Sequence, residues 1–260
     1  MRKIILLSAV LLSLATSAQT KRGDFSYDGK FDMYDLTLLI DNLLSDDGTW
    51  EPQGLQRHTV TVKGEQFVMI HVDGGQLPSS DPYVTVNVPD FWIAQTEVTQ
   101  KLWKAVMGKN PSNHQYDMMM PVESVSWYDC QAFIDTLNAL TGLQFRLPSA
   151  YEWEFAARGG NLSKGYKYAG GDNLDVLAWY DKHGRQPKPV GMLGCNELGL
   201  YDMCGNVMEW CSNIGAGNSG MLCGGSWFHD SSYCVLTRRM TYALEGRLDK
   251  FGLRLTATTL

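Results

Sequence analysis

The second half of this chain combines many glycines and tryptophans with little helical or strand periodicity. The whole sequence of 260 residues contains 26 Gly, 8 Trp and 12 Tyr. Glycine permits tight turns, and large aromatic side chains bury enough surface to hold long ordered loops in place. The composition therefore predicts a loop-rich fold, and the chain is long enough to build a core without a metal or a disulfide.

Regular elements are predicted mainly between residues 59 and 160. Three segments have the β-branched, alternating or apolar pattern of half-buried strands: 59–63, 66–72 and 83–88. One helix is predicted to end at Gly108, and a second to run from the capping box Ser126–Asp129 to Gly142. A third opens at the capping box Ser149–Glu152 and ends at Gly159. The pattern predicts a mixed α+β domain.

The first 18 residues have the features of a signal peptide. Arg2 and Lys3 precede an apolar run, 4–14, that is too short to span a bilayer, and Thr16 and Ala18 suit a cleavage site. We therefore expect an exported chain, periplasmic, cell-surface or secreted, without a transmembrane segment. The net charge of −6, with dispersed basic residues, argues against nucleic acid as a partner.

Residues 19–45 are predicted to form a calcium loop followed by an amphipathic helix. Oxygen side chains occupy loop positions 1, 3, 5, 9 and 12, at Asp24, Ser26, Asp28, Asp32 and Asp35. Gly29 permits the turn at position 6, and Lys30 would contribute its backbone carbonyl. The unit resembles one dockerin repeat, which implies a cell-surface assembly partner, although complete dockerins carry two repeats. The alternative is an acidic turn that binds no ion. A polar linker, 46–57, separates this unit from the main domain, 58–260.

Motifs in the main domain resemble, in order and spacing, the formylglycine-generating-enzyme or sulfatase-modifying factor family. They are Thr96-Glu97-Val98-Thr99-Gln100, Asn110-Pro111-Ser112, Pro121-Val122, Arg146-Leu147-Pro148, Glu152-Trp153-Glu154, Asn196-Glu197-Leu198-Gly199-Leu200, Gly205-Asn206-Val207-Met208-Glu209-Trp210 and Gly252-Leu253-Arg254-Leu255. The resemblance covers about residue 60 to the C-terminus. It implies a C-type-lectin-like fold with little regular secondary structure.

One reactive position departs from the family pattern. In catalytic members a Gly-Gly-Ser-Trp stretch precedes two cysteines, which together bind copper and oxidise a sulfatase cysteine. Here Cys234 stands at the second position, and His229 stands at the first. A histidine–thiolate pair differs from a dithiolate in geometry and redox preference. Cys234 and His229 therefore form either an altered metal site or a buried or disulfide-bonded cysteine beside a pocket-lining histidine.

The resemblance also implies one calcium site in the main domain. Its ligands would be Asp202, the carbonyls of Gly205 and Val207, and Glu209; oxygen donors suit this hard cation. The alternative is that Glu209 pairs with an arginine, namely Arg158, Arg238 or Arg239. A second family calcium site is not expected, because Ala178 replaces its asparagine.

The six cysteines are expected to include disulfides and buried thiols, but their spacing does not determine the pairing. They are Cys130, Cys195, Cys204, Cys211, Cys223 and Cys234. Cys223 occupies a position where the family usually has arginine, so a disulfide could replace an ion pair there. The histidines outside the reactive segment, His58, His71, His114 and His183, form no helical metal pair and are expected in surface or turn positions.

The leading functional hypothesis is an exported, calcium-stabilised family member that works as a non-catalytic binding or structural module. A peptide, protein or glycan ligand is expected in a groove flanked by Trp227, His229, Tyr233 and the loops near Trp179. The alternative is a copper-dependent oxidase that converts a sulfatase cysteine to formylglycine through Cys234, with help from His229 or Cys223. Copper is expected only under this alternative.

Overall fold

The structure is a computed structural model that describes residues 55–78 and 85–260. The signal peptide, the calcium loop from Asp24 to Asp35 and residues 46–54 of the linker lie outside the described residues. Those predictions therefore remain expectations.

The described residues form a mixed α+β domain with eleven short strands and three α-helices. In chain order the strands are β1 Arg57–Val62, β2 Glu65–Val72, β3 Gly75–Pro78, β4 Thr85–Val88, β5 Phe91–Ala94, β6 Phe145–Arg146, β7 Met208–Gly215, β8 Ser219–Cys223, β9 Arg239–Ala243, β10 Phe251–Gly252 and β11 Thr256–Ala257. The helices are α1 Gln100–Met107, α2 Trp127–Thr141 and α3 Ala150–Ala157. The predicted α+β class and loop-rich character are confirmed.

The strands belong to three sheets. The largest has the order β1-β2-β5-β11-β6, and its pairs are all antiparallel. A second sheet has the order β10-β7-β8-β9, in which β10 pairs parallel to β7 and the other pairs are antiparallel. Strands β3 and β4 form a separate pair. The C-terminal segment contributes to both larger sheets through β10 and β11, which places Arg254 between them.

Capping residues set the helix boundaries where the sequence predicts them. The Ser126 and Ser149 side chains each accept a backbone hydrogen bond in a reciprocal capping box. Gly108 and Gly142 end α1 and α2 with φ of 79° and 74°, a left-handed conformation that glycine adopts at little cost. Helix α3 ends at Ala157, close to its predicted end.

Large buried aromatic side chains hold the irregular segment in place. Between α3 and β7, all of which the structure describes, the chain forms only three single turns of 3-10 helix. Trp153, Trp179 and Trp210 are fully buried on or beside this segment. Aromatic packing therefore substitutes for regular secondary structure, as the composition predicts. Within the described residues no helix is long and apolar enough to cross a membrane.

Candidate functional site

The reactive segment begins with two glycines that turn the chain sharply after β8. Gly224 and Gly225 both have positive φ, 96° and 74°. A Cβ atom on Gly225 would lie only 2.9 Å from the Tyr233 carbonyl oxygen and 3.0 Å from Cys234 Sγ. The segment therefore folds back on itself, and the close approach requires glycine at position 225.

His229 is held inside this segment by two local contacts. Its Nδ1 lies 2.7 Å from Ser226 Oγ, and its ring stacks on Tyr233 with centroids 4.5 Å apart. Its backbone carbonyl accepts a hydrogen bond from Asp181 N, which joins the segment to the loop after Trp179. Burial lowers the pKa of His229 to about 4, and the positive charge of Lys250 adds to this effect. The imidazole is therefore neutral at physiological pH.

Cys234 lies deeper than His229 and points into the core. The residue is 1% exposed, and Sγ approaches the Asp230 carbonyl oxygen at 3.9 Å. Burial raises the pKa of the Cys234 thiol, and interactions with Cys204, Asp230 and Asp181 raise it further. The His229 side chain, in contrast, contacts Ser226, Phe228 and Tyr233 within the same segment.

Glu209 pairs with Arg254, which was not among its predicted partners. Arg254 Nη2 lies 2.8 Å from Glu209 Oε1, and Arg254 Nε lies 3.0 Å from both carboxylate oxygens. Trp153 Nε1 donates to Oε2 at 2.6 Å. The proposed partners Arg158 and Arg239 instead bind Glu154. Glu209 is therefore a fully buried and fully hydrogen-bonded carboxylate.

Two more buried carboxyl groups lie near this pair. Glu97 accepts hydrogen bonds from Asn206 Nδ2 at 2.9 Å and from Val207 N at 3.2 Å. Asp202 Oδ2 accepts from Gly191 N at 2.7 Å, whereas Oδ1 is buried without a hydrogen-bond partner. Burial raises the pKa of Glu97 well above its usual range, with further contributions from Asp202 and Glu209. Burial also raises the pKa of Asp202 to about 6.

Glu97, Asn206 and Arg254 were not among the predicted site residues, although each belongs to one of the family motifs. A usable signal was present at Arg254, which lies between the apolar residues Leu253 and Leu255, whereas the residues around Glu97 are mostly polar. A charged residue inside a short apolar run must find a partner when the run is buried. The identity of that partner requires the tertiary structure.

The residues of the expected calcium site fit the ion only in part. The unpaired Oδ1 of Asp202 is the kind of buried oxygen that a calcium ion would complete. The oxygens of Glu209, in contrast, are already engaged by Arg254 and Trp153. Gly205 has a φ of 81°, and a Cβ there would collide with the Trp179 carbonyl. Across residues 55–78 and 85–260, no group of three or more His, Cys, Asp or Glu side chains is placed to hold a metal ion.

Six aromatic rings in edge or stacking contact form a continuous strip that includes the segment after β8. We call this the aromatic strip; its rings, in order, belong to Tyr116, His114, Trp227, Phe228, His229 and Tyr233. Tyr116 is 77% exposed and Phe228 is 49% exposed, whereas Trp227 is buried. Two cations face its rings: Lys250 Nζ lies 3.9 Å from the Phe228 centroid, and Arg238 lies over Tyr233.

The strip includes residues of the expected groove and extends beyond it. Trp227, His229 and Tyr233 belong to it, and the Asp181–His229 backbone hydrogen bond links it to the loop near Trp179. The Trp179 side chain itself is buried. His114 is a half-buried member of the strip whose Nδ1 lies 3.4 Å from Glu123 Oε1, so it is more than a surface or turn residue.

Residues 47–259 match the family model described as "Sulfatase-modifying factor enzyme 1-like domain". The chain is 32% identical over 197 residues to "Chaperone protein LppX" of Paenibacillus barcinonensis, covering 55% of this chain and 70% of that protein. It is 29% identical over 191 residues to the "Formylglycine-generating enzyme" of Streptomyces coelicolor, covering 58% of each chain. It is 32% identical over 185 residues to the "Inactive C-alpha-formylglycine-generating enzyme 2" of Bos taurus, covering 63% of this chain and 58% of that one. The chain thus spans less than two thirds of both formylglycine-generating-enzyme relatives.

A solved structure supports the same fold. "Treponema denticola variable protein 1" superposes with a TM-score of 0.71 at 28% sequence identity, covering 78% of this chain and 99% of that one. The relatives include a protein named as a catalyst and one named as inactive, so kinship alone does not decide the activity. The family model covers more than half of the chain, and the fold agrees with it. The chain therefore belongs to the sulfatase-modifying factor, or formylglycine-generating enzyme, family.

Proposed function

We propose that this protein is a non-catalytic binding module of its family. The observation that carries the proposal is the state of the two reactive positions. His229 stands where a copper-binding cysteine is expected and is engaged by Ser226 and Tyr233. Cys234 is a buried thiol whose pKa is raised. Cu(I) favours a pair of soft thiolates, and this arrangement offers one thiol that resists ionisation.

The experiment incubates the copper-loaded protein with a sulfatase-type cysteine peptide and follows the peptide by mass spectrometry. We expect no conversion to the aldehyde, while an active homologue converts the same peptide under the same conditions. A His229→Cys variant should gain binding of Cu(I), because it restores the second thiol. Conversion by the wild-type protein that disappears in Cys234→Ser would overturn the proposal and establish the copper oxidase instead.

The ligand surface in this proposal is the aromatic strip. Exposed rings offer flat apolar faces to a sugar ring or to a peptide side chain, and Lys250 and Arg238 add positive charge at Phe228 and Tyr233. Tyr116 and Phe228 are the most accessible rings, so they should contribute most of the binding energy. The ligand is therefore a peptide, protein or glycan that presents an apolar face to these rings.

This surface is tested by screening the protein against immobilised glycans and peptides. Phe228→Ala and Tyr116→Ala should each weaken binding of any ligand found by about 10-fold or more, as expected for exposed aromatic anchors. Tyr128→Ala is the matched control, because Tyr128 is an exposed tyrosine on α2 that contacts Trp127 instead of the strip. A ligand whose affinity changes equally in all three variants would refute the assignment.

Calcium in the main domain is a second part of the proposal. The buried, unpaired oxygen of Asp202 supports it, whereas the saturated Glu209 carboxylate opposes it. If the ion binds, calcium chloride raises the melting temperature of the wild-type protein and a chelator reverses the increase. The comparison is made in an Asp24→Ala background, so that the predicted N-terminal calcium loop does not contribute, and in that background an Asp202→Asn variant should not respond. A response that persists there would place the ion elsewhere.

The N-terminal unit is proposed to bind calcium and to dock an exported protein into a cell-surface assembly. The spacing of oxygen side chains from Asp24 to Asp35 supports the proposal. A pull-down from a cell-envelope extract should be abolished by a chelator and by Asp24→Ala. N-terminal sequencing of the exported protein should begin at Gln19. A partner that is still pulled down in the presence of the chelator and by the Asp24→Ala variant would exclude this role.

A further inference from the structure

Two cysteines that the proposed function does not use lie side by side inside the domain. Cys211 belongs to β7, and Cys223 is the last residue of β8. Their sulfur atoms are 3.7 Å apart, and both side chains are buried. The structure describes all six cysteines, and this is the pair whose sulfur atoms are in direct contact.

The strand register explains why these two residues meet. Cys223 lies opposite Glu209, and Leu222 lies opposite Trp210. Regular alternation along β7 therefore puts Cys211 on the same face as Cys223, one diagonal step away. A diagonal pair in a regular ladder has its Cα atoms about 7–8 Å apart. The pairing shifts register between Trp210 and Ile214, and such a bulge bends the strand and redirects its side chains. Cys211 lies at the start of this bulge.

We propose that Cys211 and Cys223 form a disulfide that joins β7 to β8 when the chain folds in an oxidising compartment. The sulfurs must close from 3.7 Å to about 2.0 Å, a movement that a side-chain rotation and the irregular strand can supply. In the reaction, one cysteine thiolate attacks the disulfide of the oxidant and forms a mixed disulfide, which releases one thiol of the oxidant. The second cysteine thiolate then attacks the mixed disulfide and releases the other thiol. The S–S bond of the oxidant breaks, a new S–S bond forms, and the oxidant leaves as two thiols that carry the two electrons and two protons.

Contact with the Cys223 thiol and burial raise the pKa of the Cys211 thiol, and the positive charge of Arg239 opposes only part of this increase. The reactive thiolate therefore forms most readily before the pair is buried, while the chain is still folding. The bond would lie directly before Gly224 and Gly225, at the root of the segment that carries the reactive positions. It would therefore anchor that segment to the second sheet.

The test is oxidative refolding of the full chain in a mixture of reduced and oxidised glutathione. Refolding from the reduced, denatured state gives the oxidant access to thiols that are buried in the folded protein. Remaining thiols are then alkylated, and the digested protein is mapped by mass spectrometry. We expect a cross-linked peptide pair containing Cys211 and Cys223, which separates after reduction.

Variants and stability measurements complete the test. Cys211→Ala and Cys223→Ala should each abolish the cross-link, whereas Cys130→Ala, at a buried cysteine in another part of the core, should retain it. Reduction should lower the melting temperature of the wild-type protein by about 5–10 °C. The melting temperature of Cys211→Ala should be the same before and after reduction. Alkylation of both Cys211 and Cys223 in correctly refolded protein, or a mapped bond from either one to Cys204 or Cys234, would overturn the proposal.

Discussion

At the scale of single residues, Asp202 carries a buried carboxyl group whose charge opposes folding. Its folded-state pKa is about 6, against an ordinary value of 3.8, because burial penalises the charged form. The folded protein therefore holds the proton to a higher pH than the unfolded chain does. Stability from this proton is present at low pH and is lost as the pH rises from about 4 through 6.

An Asp202→Asn variant removes this dependence while keeping an oxygen that can accept from Gly191 N. We expect the melting temperature of the variant, relative to wild type, to increase between pH 4 and pH 7 when divalent cations are absent. The measurement is thermal unfolding at several pH values, with Asp135→Asn on the exposed side of α2 as control. A difference between variant and wild type that does not change with pH would contradict the assignment.

His229 should show the opposite pH dependence, because burial lowers the pKa of a base. Its folded-state pKa is about 4, against an ordinary value of 6.5, so the unfolded chain takes up the proton first as the pH falls. The contribution of this residue to stability is therefore lost between about pH 6.5 and pH 4. Glutamine in a His229→Gln variant does not titrate in this range. The difference in stability between the variant and the wild type should therefore shift in favour of the variant when the pH is lowered from 7.5 to 4.5. Denaturant titrations at both pH values measure this difference, and equal differences would be inconsistent with a buried neutral imidazole.

At the scale of elements, helix α2 depends on its N-terminal capping box. The Ser126 Oγ accepts a hydrogen bond from Asp129 N, and Asp129 Oδ2 accepts from Ser126 N at 2.8 Å. Ser126→Ala removes the cap of a buried helix terminus and should cost about 1–2 kcal/mol of stability. Urea denaturation measures the loss. Thr136→Ala, in the middle of α2, should cost much less, and similar losses in the two variants would show that capping is not the cause.

At the scale of the whole molecule, Arg254 connects the two larger sheets through their shared C-terminal segment. Its guanidinium donates to the Ala94 carbonyl in β5, to the Tyr201 carbonyl and to Glu209 in β7. Arg254→Met would leave the buried Glu209 carboxylate without its counter-charge, which should cost about 3–5 kcal/mol. The measurement is the free energy of unfolding in guanidinium chloride.

Two further variants isolate the charge effect at Arg254. The double variant Arg254→Met/Glu209→Gln should be more stable than Arg254→Met alone, because it no longer buries an unpaired charge. Arg247→Met, which breaks an exposed pair with Asp129, should cost no more than about 1 kcal/mol. A double variant that is less stable than Arg254→Met would show that packing, not charge, accounts for the loss.

The elements predicted correctly from sequence are those whose cause is local. The Ser126 and Ser149 capping boxes, the glycine stops at positions 108 and 142 and the strands near residues 60, 70 and 88 all depend on residues a few positions apart. The order of the motifs also identified the family, because its members carry the same motifs in the same order along the chain. The predicted partners of Glu209, in contrast, were wrong.

The sequence by itself determined the α+β class, the helix boundaries, the family and the exchange of a reactive cysteine for His229. Only the tertiary structure decided that Glu209 pairs with Arg254, that Cys211 meets Cys223 and that six aromatic rings form one strip. Arg254 is 45 residues from Glu209, and His114 meets Trp227 from a distant segment. Such contacts depend on which loops the core brings together, and neither periodicity nor spacing records that outcome.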